Sequence, residues 1–204
     1  DAPPATVVAT QDPARRAART AARTPDMQIA LAGERCDPDT AIWAGNLLGK
    51  EGEGFKMAMK ALDGGRINIA ACSLGGAQWA LDRAIRYVHE RFTFGEALAE
   101  RQSVVFALAD MATELVAARA LVERAARAID EDAPDVAVQC AMAKRFATDA
   151  GFEIANRALQ LHGGYGYLQE YGIEKVVRDL RVHQILEGTN EIMRVVIGRG
   201  VVGA

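Results

Sequence analysis

The chain has 204 residues, a formal net charge of −3 and a pI near 5.7. That balance leaves no basic footprint for nucleic acid or an anionic membrane surface, and no apolar run approaches the ~20 residues of a membrane span. Half of the residues are hydrophobic, only 6% are aromatic and alanine is abundant, so one helical domain with a real core is the expectation.

Residues 1–43 stand apart from the rest. Five of the six prolines fall there, and Arg15, Arg16, Arg19 and Arg23 lie among alanines with almost no bulky apolar residue. Such a segment has little to bury and reads as irregular or disordered. Its arginine–alanine pattern resembles a transit peptide, but Asp1, Asp12 and Asp26 run against that reading. Cys36, Cys72 and Cys140 are far apart and odd in number, which fits thiols of a reducing compartment rather than a disulfide framework.

Residues 54–89 read as the first long helix. Phe55, Met59 and Leu62, then Ile69, Leu74, Leu81, Ile85 and Val88, recur at helical spacing. Gly64-Gly65 and Gly75-Gly76 interrupt it. Each glycine costs about 1 kcal/mol against alanine, so something is expected to pack closely there, either a neighbouring helix or a ligand. Residues 89–103 form a connector with the composition of a turn and an aromatic anchor, and its Arg91, Arg101 and Gln102 read as solvated. Residues 103–131 make an amphipathic helix with Val104, Leu108, Met111, Leu115 and Val122 on one stripe. Pro134 ends it, and Asp132 or Asp135 can cap the next. In residues 135–161, Val136, Cys140, Ala143, Phe146, Ile154 and Leu161 face inward, while Lys144, Arg145 and Asp149 read as a charged face. Shorter helices are predicted over 173–182 and 191–199. No alternating strand pattern follows residue 44. The fold reading is therefore all-α, an antiparallel four-helix-type bundle preceded by an irregular N-terminal segment.

Two stretches stand out chemically. Gln160-Leu161-His162-Gly163-Gly164-Tyr165-Gly166 spends three glycines on one turn, and glycine lets a ligand approach the main chain. No strand precedes it, so it is not a dinucleotide fingerprint of the Rossmann kind. His89, His162 and His183 lack metal-ligand spacing. Leu186-Glu187-Gly188-Thr189-Asn190-Glu191 places an acid before a glycine at a loop-to-helix junction, where backbone can position a general base. The same residues are also an ordinary N-cap, with Thr189 or Asn190 capping.

In combination, Gln160–Gly166 and Ile185–Arg194, with Gly45-Asn46-Leu47-Leu48-Gly49, Gly52, Gly54 and Phe55 upstream, resemble the C-terminal domain of the acyl-CoA dehydrogenases. The isobutyryl-CoA branch is the nearest likeness, and the resemblance covers residues 44–204. It implies FAD as cofactor and Glu187 as the base that takes the α-proton of an acyl-CoA. A free glutamate has a pKa of about 4.3, and enclosing a carboxylate against an apolar ligand raises its basicity. Other branches put the base on the glycine-containing helix, at the position that is Gly65 here. The resemblance further implies that Thr189, Asn190 and Glu191 line the flavin. Arg91, Arg101 and Gln102 would reach the pyrophosphate, although the isobutyryl branch more usually has asparagine where this chain has Arg101. Gln160, Leu161, His162, Gly163 and Gly164 would meet the adenine-side half of a flavin held by a neighbouring subunit. Asp63, Gly64, Gly65, Arg66 and Arg199 fall on the acyl-CoA side.

A homo-oligomer follows from the same resemblance (tetrameric in the family), as do electron-transferring flavoprotein as electron acceptor and a location in the bacterial cytoplasm or a mitochondrial matrix. Family members carry an N-terminal helical domain and a β-domain ahead of this region. Two functions therefore stand at this point: α,β-dehydrogenation of a short branched acyl-CoA, or a truncated, catalytically inactive helical module for oligomerisation or interaction.

Overall fold

The computed structural model describes residues 50 and 53–203. The expectations for residues 1–43 and for the Gly45–Gly49 loop fall outside the described residues. The described residues up to Ala61 belong to one unit and those from Leu62 to a second. In the first, the Glu53 carboxylate accepts from the Lys50 backbone N–H at 2.9 Å, just ahead of the first helix.

Five α-helices occur among the described residues: α1 (Gly54–Glu90), α2 (Gln102–Asp130), α3 (Val136–His162), α4 (Ile173–His183) and α5 (Asn190–Val202). The fold is all-α, as the periodicity predicts. In the second unit α3 is central, in contact with α2, α4 and α5. Its core is rich in alanine. Ala70, Leu74, Ala77, Leu81, Ala84 and Val88 of α1 are buried at alternating steps of three and four, the spacing that keeps one stripe facing a partner helix. Met111, Leu115 and Val122 of α2 and Cys140, Ala147 and Ile154 of α3 meet them. No helix among the described residues is long and apolar enough to cross a membrane.

The two glycine pairs do not break α1, which runs unbroken to Glu90. In each pair the first glycine faces open space and the second meets a neighbour. A Cβ on Gly76 would stand 2.9 Å from Leu180 Cδ2, and one on Gly65 would meet the Glu187 carboxyl group. Close packing by an apolar side chain and contact with a carboxylate are thus both present, one at each pair.

Two expectations need correction. The connector is not free of strand: β1 (Phe92–Thr93) and β2 (Glu96–Ala97) pair antiparallel. Their turn residues Phe94 and Gly95 both have positive φ, +56° and +90°, the backbone of a tight hairpin turn. Phe94 is no anchor within this chain, being 97% exposed. Lys144 is not on a charged face either; its side chain is fully buried. It recurs on the same helical stripe as Cys140, Ala147 and Ile154, so position, not charge, decides where it points.

Candidate active site

The turn between α4 and α5 builds the first half of the site. The amides of Ile185 and Leu186 both bond the Val182 carbonyl, at 2.9 and 3.0 Å. The chain then reverses through Glu187 at φ +55° and Gly188 at φ +87°. Gly188 is at ease there, whereas Glu187 carries a cost of about 1–2 kcal/mol for its Cβ in the left-handed region. A Cβ on Gly188 would in addition meet Met193 Cε at 2.9 Å. Thr189 is the N-cap of α5, its hydroxyl accepting from Ile192 N–H at 3.4 Å. The cap reading and the placement of the acid therefore hold together: the cap fixes where the strained turn ends.

Glu187 projects onto α1. Its Cδ lies 2.8 Å, and its Oε1 3.3 Å, from where a Cβ on residue 65 would be, with Oε2 nearer still. Only glycine at 65 leaves room for this carboxylate. On the same helix Arg66 Nη1 donates to Asp63 Oδ1 at 2.7 Å. Arg66 is 7% exposed and its Nε is buried without a partner. Below the turn, Lys144 Nζ donates to the Gly188 carbonyl and to Asn190 Oδ1, both at 2.8 Å. Burial pulls the Lys144 pKa from 10.5 down to about 8, against the opposing pull of Asp149, Glu191 and Glu187. Asn190 Nδ2 donates to Asp149 Oδ1 at 2.7 Å and to Thr148 Oγ1 at 2.9 Å. Glu191 is exposed, and hydrogen bonds from its own backbone N–H and from Thr189 lower its pKa.

A second constellation lies toward the other end of α1. A cavity of about 420 Å³ is lined by Arg91, Thr93, Gln160, His162, Gly163 and Tyr165, among others. His162 closes its inner wall. It stacks on Tyr87 with ring centres 4.3 Å apart, and its Nδ1 bonds the Ala158 carbonyl at 2.7 Å. A carbonyl only accepts, so Nδ1 carries the proton; burial lowers the His162 pKa, against the opposing hydrogen bond to Ala158. Arg91 lies over the Tyr165 ring at 5.5 Å. Thr93 Oγ1 is buried without a hydrogen-bond partner. Of the glycines, Gly163 needs its freedom for φ +58° and Gly166 for space, since a Cβ there would stand 2.8 Å from the Leu159 carbonyl oxygen. At about 1.5 Å of rise per residue, Gly65 and Tyr87 are about 33 Å apart along α1.

The family description "Acyl-CoA dehydrogenase, C-terminal domain" matches residues 52–202. The chain belongs to the acyl-CoA dehydrogenase family. It is 53% identical over 163 residues to mitochondrial isobutyryl-CoA dehydrogenase of Bos taurus, covering 80% of this chain and 39% of that protein. Among solved structures it resembles butyryl-CoA dehydrogenase of Megasphaera elsdenii, at 46% identity and a TM-score of 0.76 over 78% of this chain and 41% of that one. It also resembles an acyl-CoA dehydrogenase from Bacillus anthracis complexed with FAD, at 29% identity and a TM-score of 0.72 over 78% of this chain and 30% of that one. The chain thus spans about two fifths of the length of the curated relatives it matches.

Within this acyl-CoA dehydrogenase domain, the residues read from the sequence fall into two groups. Glu187, Thr189, Asn190 and Glu191 share one turn, and Gly65 faces it from α1. Arg91 and Gln160–Gly164 share the cavity. Arg101 is committed to the hairpin beside that cavity: Nη2 donates to the Thr93 carbonyl at 2.7 Å, Nε pairs with Glu96 at 3.3 Å, and the guanidinium lies 5.3 Å from the centre of the Phe94 ring. Gln102 is the exposed first residue of α2 and does not line the cavity. Arg199 is exposed in the last turn of α5. The Asn190 side chain is 3% exposed and bonded to α3. Sequence reading missed Tyr87, Thr93 and Tyr165 in the cavity wall, and Lys144 beneath the turn. The helical register of Lys144 with Cys140 was the available signal.

Proposed function

We propose that this chain is the C-terminal part of an FAD-dependent dehydrogenase that oxidises a short branched acyl-CoA of the isobutyryl type to its α,β-enoyl thioester. The observation that carries the reading is the Glu187 carboxylate seated over Gly65. A turn with two successive positive φ angles aims it there, and the missing side chain at 65 clears the space. A carboxylate fixed by backbone and facing a bare helix surface can take a proton from a substrate carbon laid along that surface. Glu187 would remove the α-proton, the electron pair of that C–H bond would become the α,β double bond, and the β-hydrogen would leave as hydride. FAD, when bound, supplies the acceptor for that hydride.

The lining of the cavity suits one end of such a cofactor. Arg91 offers a cation for pyrophosphate, Tyr165 a flat face, and the unpartnered Thr93 hydroxyl a hydrogen bond. Thr189 and Glu191 would border the flavin at the other site, with Asn190 holding their backbone. Asp63, Gly64, Gly65, Arg66 and Arg199 would face the acyl-CoA. The separation of about 33 Å along α1 favours two copies of the domain sharing two cofactors, hence a homo-oligomer. Electron-transferring flavoprotein would then reoxidise the reduced flavin.

The test is a visible spectrum of the FAD-loaded protein before and after anaerobic isobutyryl-CoA. The flavin band is expected to bleach in the wild type and to persist in Glu187→Gln. A protein that stays colourless with added FAD overturns the reading and leaves the inactive helical module, whereas a Glu187→Gln variant that bleaches like wild type overturns the assignment of Glu187 as the base.

A further inference from the structure

We propose that Lys144 is a positioning residue for Glu187: from inside α3 its ammonium pins the Gly188 carbonyl and so holds the strained turn that aims the Glu187 carboxylate over Gly65. This rests on Glu187 being the base of the dehydrogenation.

Lys144 has a position that helix packing alone would give to an apolar residue. It is fully buried between Cys140 and Ala147 on the core stripe of α3. A buried lysine is costly and is retained where its charge is used. Both of its hydrogen-bond acceptors are uncharged oxygens, and both belong to the turn: the carbonyl of the residue after Glu187 and the side chain of the first residue of α5. The rest of the clasp comes from the same stretch of α3. Asp149 Oδ1 accepts from Gln184 Nε2 at 2.8 Å and from Asn190 Nδ2 at 2.7 Å, so one carboxylate grips the chain before and after Glu187. Thr148 Oγ1 accepts from the same Asn190 amide at 2.9 Å. The turn is closed by Asn190 N–H bonding the Gln184 carbonyl at 3.0 Å.

Residues with unfavourable φ persist only where the surroundings over-determine them. Here the side-chain part of the over-determination comes from one helix, with Lys144 at its centre. The charged and titratable groups facing the ammonium are Arg66 of α1, Glu187 of the turn, Glu191 of α5, Asp149 of its own helix and His183 at the end of α4. At neutral pH Lys144 is charged, and its neutral form would still donate, so substitution rather than titration isolates its role.

Lys144→Met in the FAD-loaded full chain is the test, read in two ways. Amide hydrogen exchange at Asn190 is expected to speed up by about tenfold or more while core amides of α2 such as Leu115 are unmoved. The kcat for isobutyryl-CoA is expected to fall about 100-fold with KM within about threefold, because the base and not the acyl pocket has been loosened. Lys144→Arg, which keeps charge and donors, should recover part of the rate. If Lys144→Met does not fold, Lys144→Gln replaces it. Unchanged Asn190 exchange overturns the proposal, as does a kcat within about threefold of wild type once the turn is shown to be loose. Absence of turnover in the wild type would instead defeat the dehydrogenase reading on which the proposal rests, and the exchange measurement would still decide whether Lys144 holds the turn.

Discussion

Adding a single methyl group at Gly65 separates stability from catalysis. In Gly65→Ala the new Cβ would stand 2.8 Å from Glu187 Cδ and 3.3 Å from Oε1. Carbon contacts are comfortable from about 3.5 Å, so the carboxyl group must retreat by about 1 Å. The folding consequence is small. A glycine-to-alanine change inside a helix gains about 1 kcal/mol, and swinging the end of a half-buried glutamate offsets part of that gain. The melting temperature should therefore stay within about 3 °C of wild type. The catalytic consequence is large, because a misplacement of about 1 Å costs about 100-fold in rate, or about 2.7 kcal/mol of barrier. Gly75→Ala is the control on the same helix: nothing lies within 4 Å of its added Cβ, so it should stabilise by about 1 kcal/mol and leave activity unchanged. The assay is anaerobic flavin reduction by isobutyryl-CoA in a rapid-mixing spectrometer, beside scanning calorimetry of each variant. A Gly65→Ala protein that reduces its flavin within about threefold of wild type would refute the argument that the carboxylate works from its seat over residue 65.

Gly76→Ala should behave in the opposite way to Gly75→Ala. Its Cβ meets three carbons of Leu180, at 2.9, 3.3 and 3.3 Å, and Leu180 is a core residue without room to swing. A net loss of about 1–2 kcal/mol is expected in urea unfolding, and stabilisation would show that α1 and α4 have slack between them. Lys144 should make stability depend on alkaline pH. Its folded pKa of about 8 lies below the ordinary 10.5, so between those values the unfolded chain binds the extra proton and stability rises with pH. The gain is on the order of 3 kcal/mol, complete only above 10.5 and absent below about 8. Cys140, whose pKa burial raises to about 11, works the other way from pH 9 upward. The quantity to measure is accordingly the difference in unfolding free energy between wild type and Lys144→Gln across that range; a flat difference would show that the lysine is solvated.

The helices were legible because alanine and leucine repeat at helical spacing, and α2 carries its predicted stripe of Val104, Met111, Leu115 and Val122 into the core. The glycine pairs showed that something lies close to α1, but not that Leu180 fills one place and a carboxylate the other, since those contacts join positions about 100 residues apart. Lys144 was hidden by its charge: grouped with Arg145 and Asp149 it looked solvated, although its register with Cys140 and Ala147 puts it inside. The hairpin was hidden by its brevity, as strands of two residues show no alternation. Glu187 was legible as an acid before a glycine. Its positive φ was not, because glutamate rarely adopts it and only the tertiary clasp requires it.

The contact between residues 65 and 187 also constrains how this site can change over evolutionary time. A lineage that gained an acid at 65 while keeping Glu187 would bring that side chain's Cβ into the resident carboxyl group. On the proposed assignment of Glu187, a lineage that lost it first would pass through a protein with no base at all. On that assignment neither order keeps a well-placed proton acceptor throughout, so moving it from the loop to the helix calls for two paired changes, and the steric contact at residue 65 stands between the two arrangements.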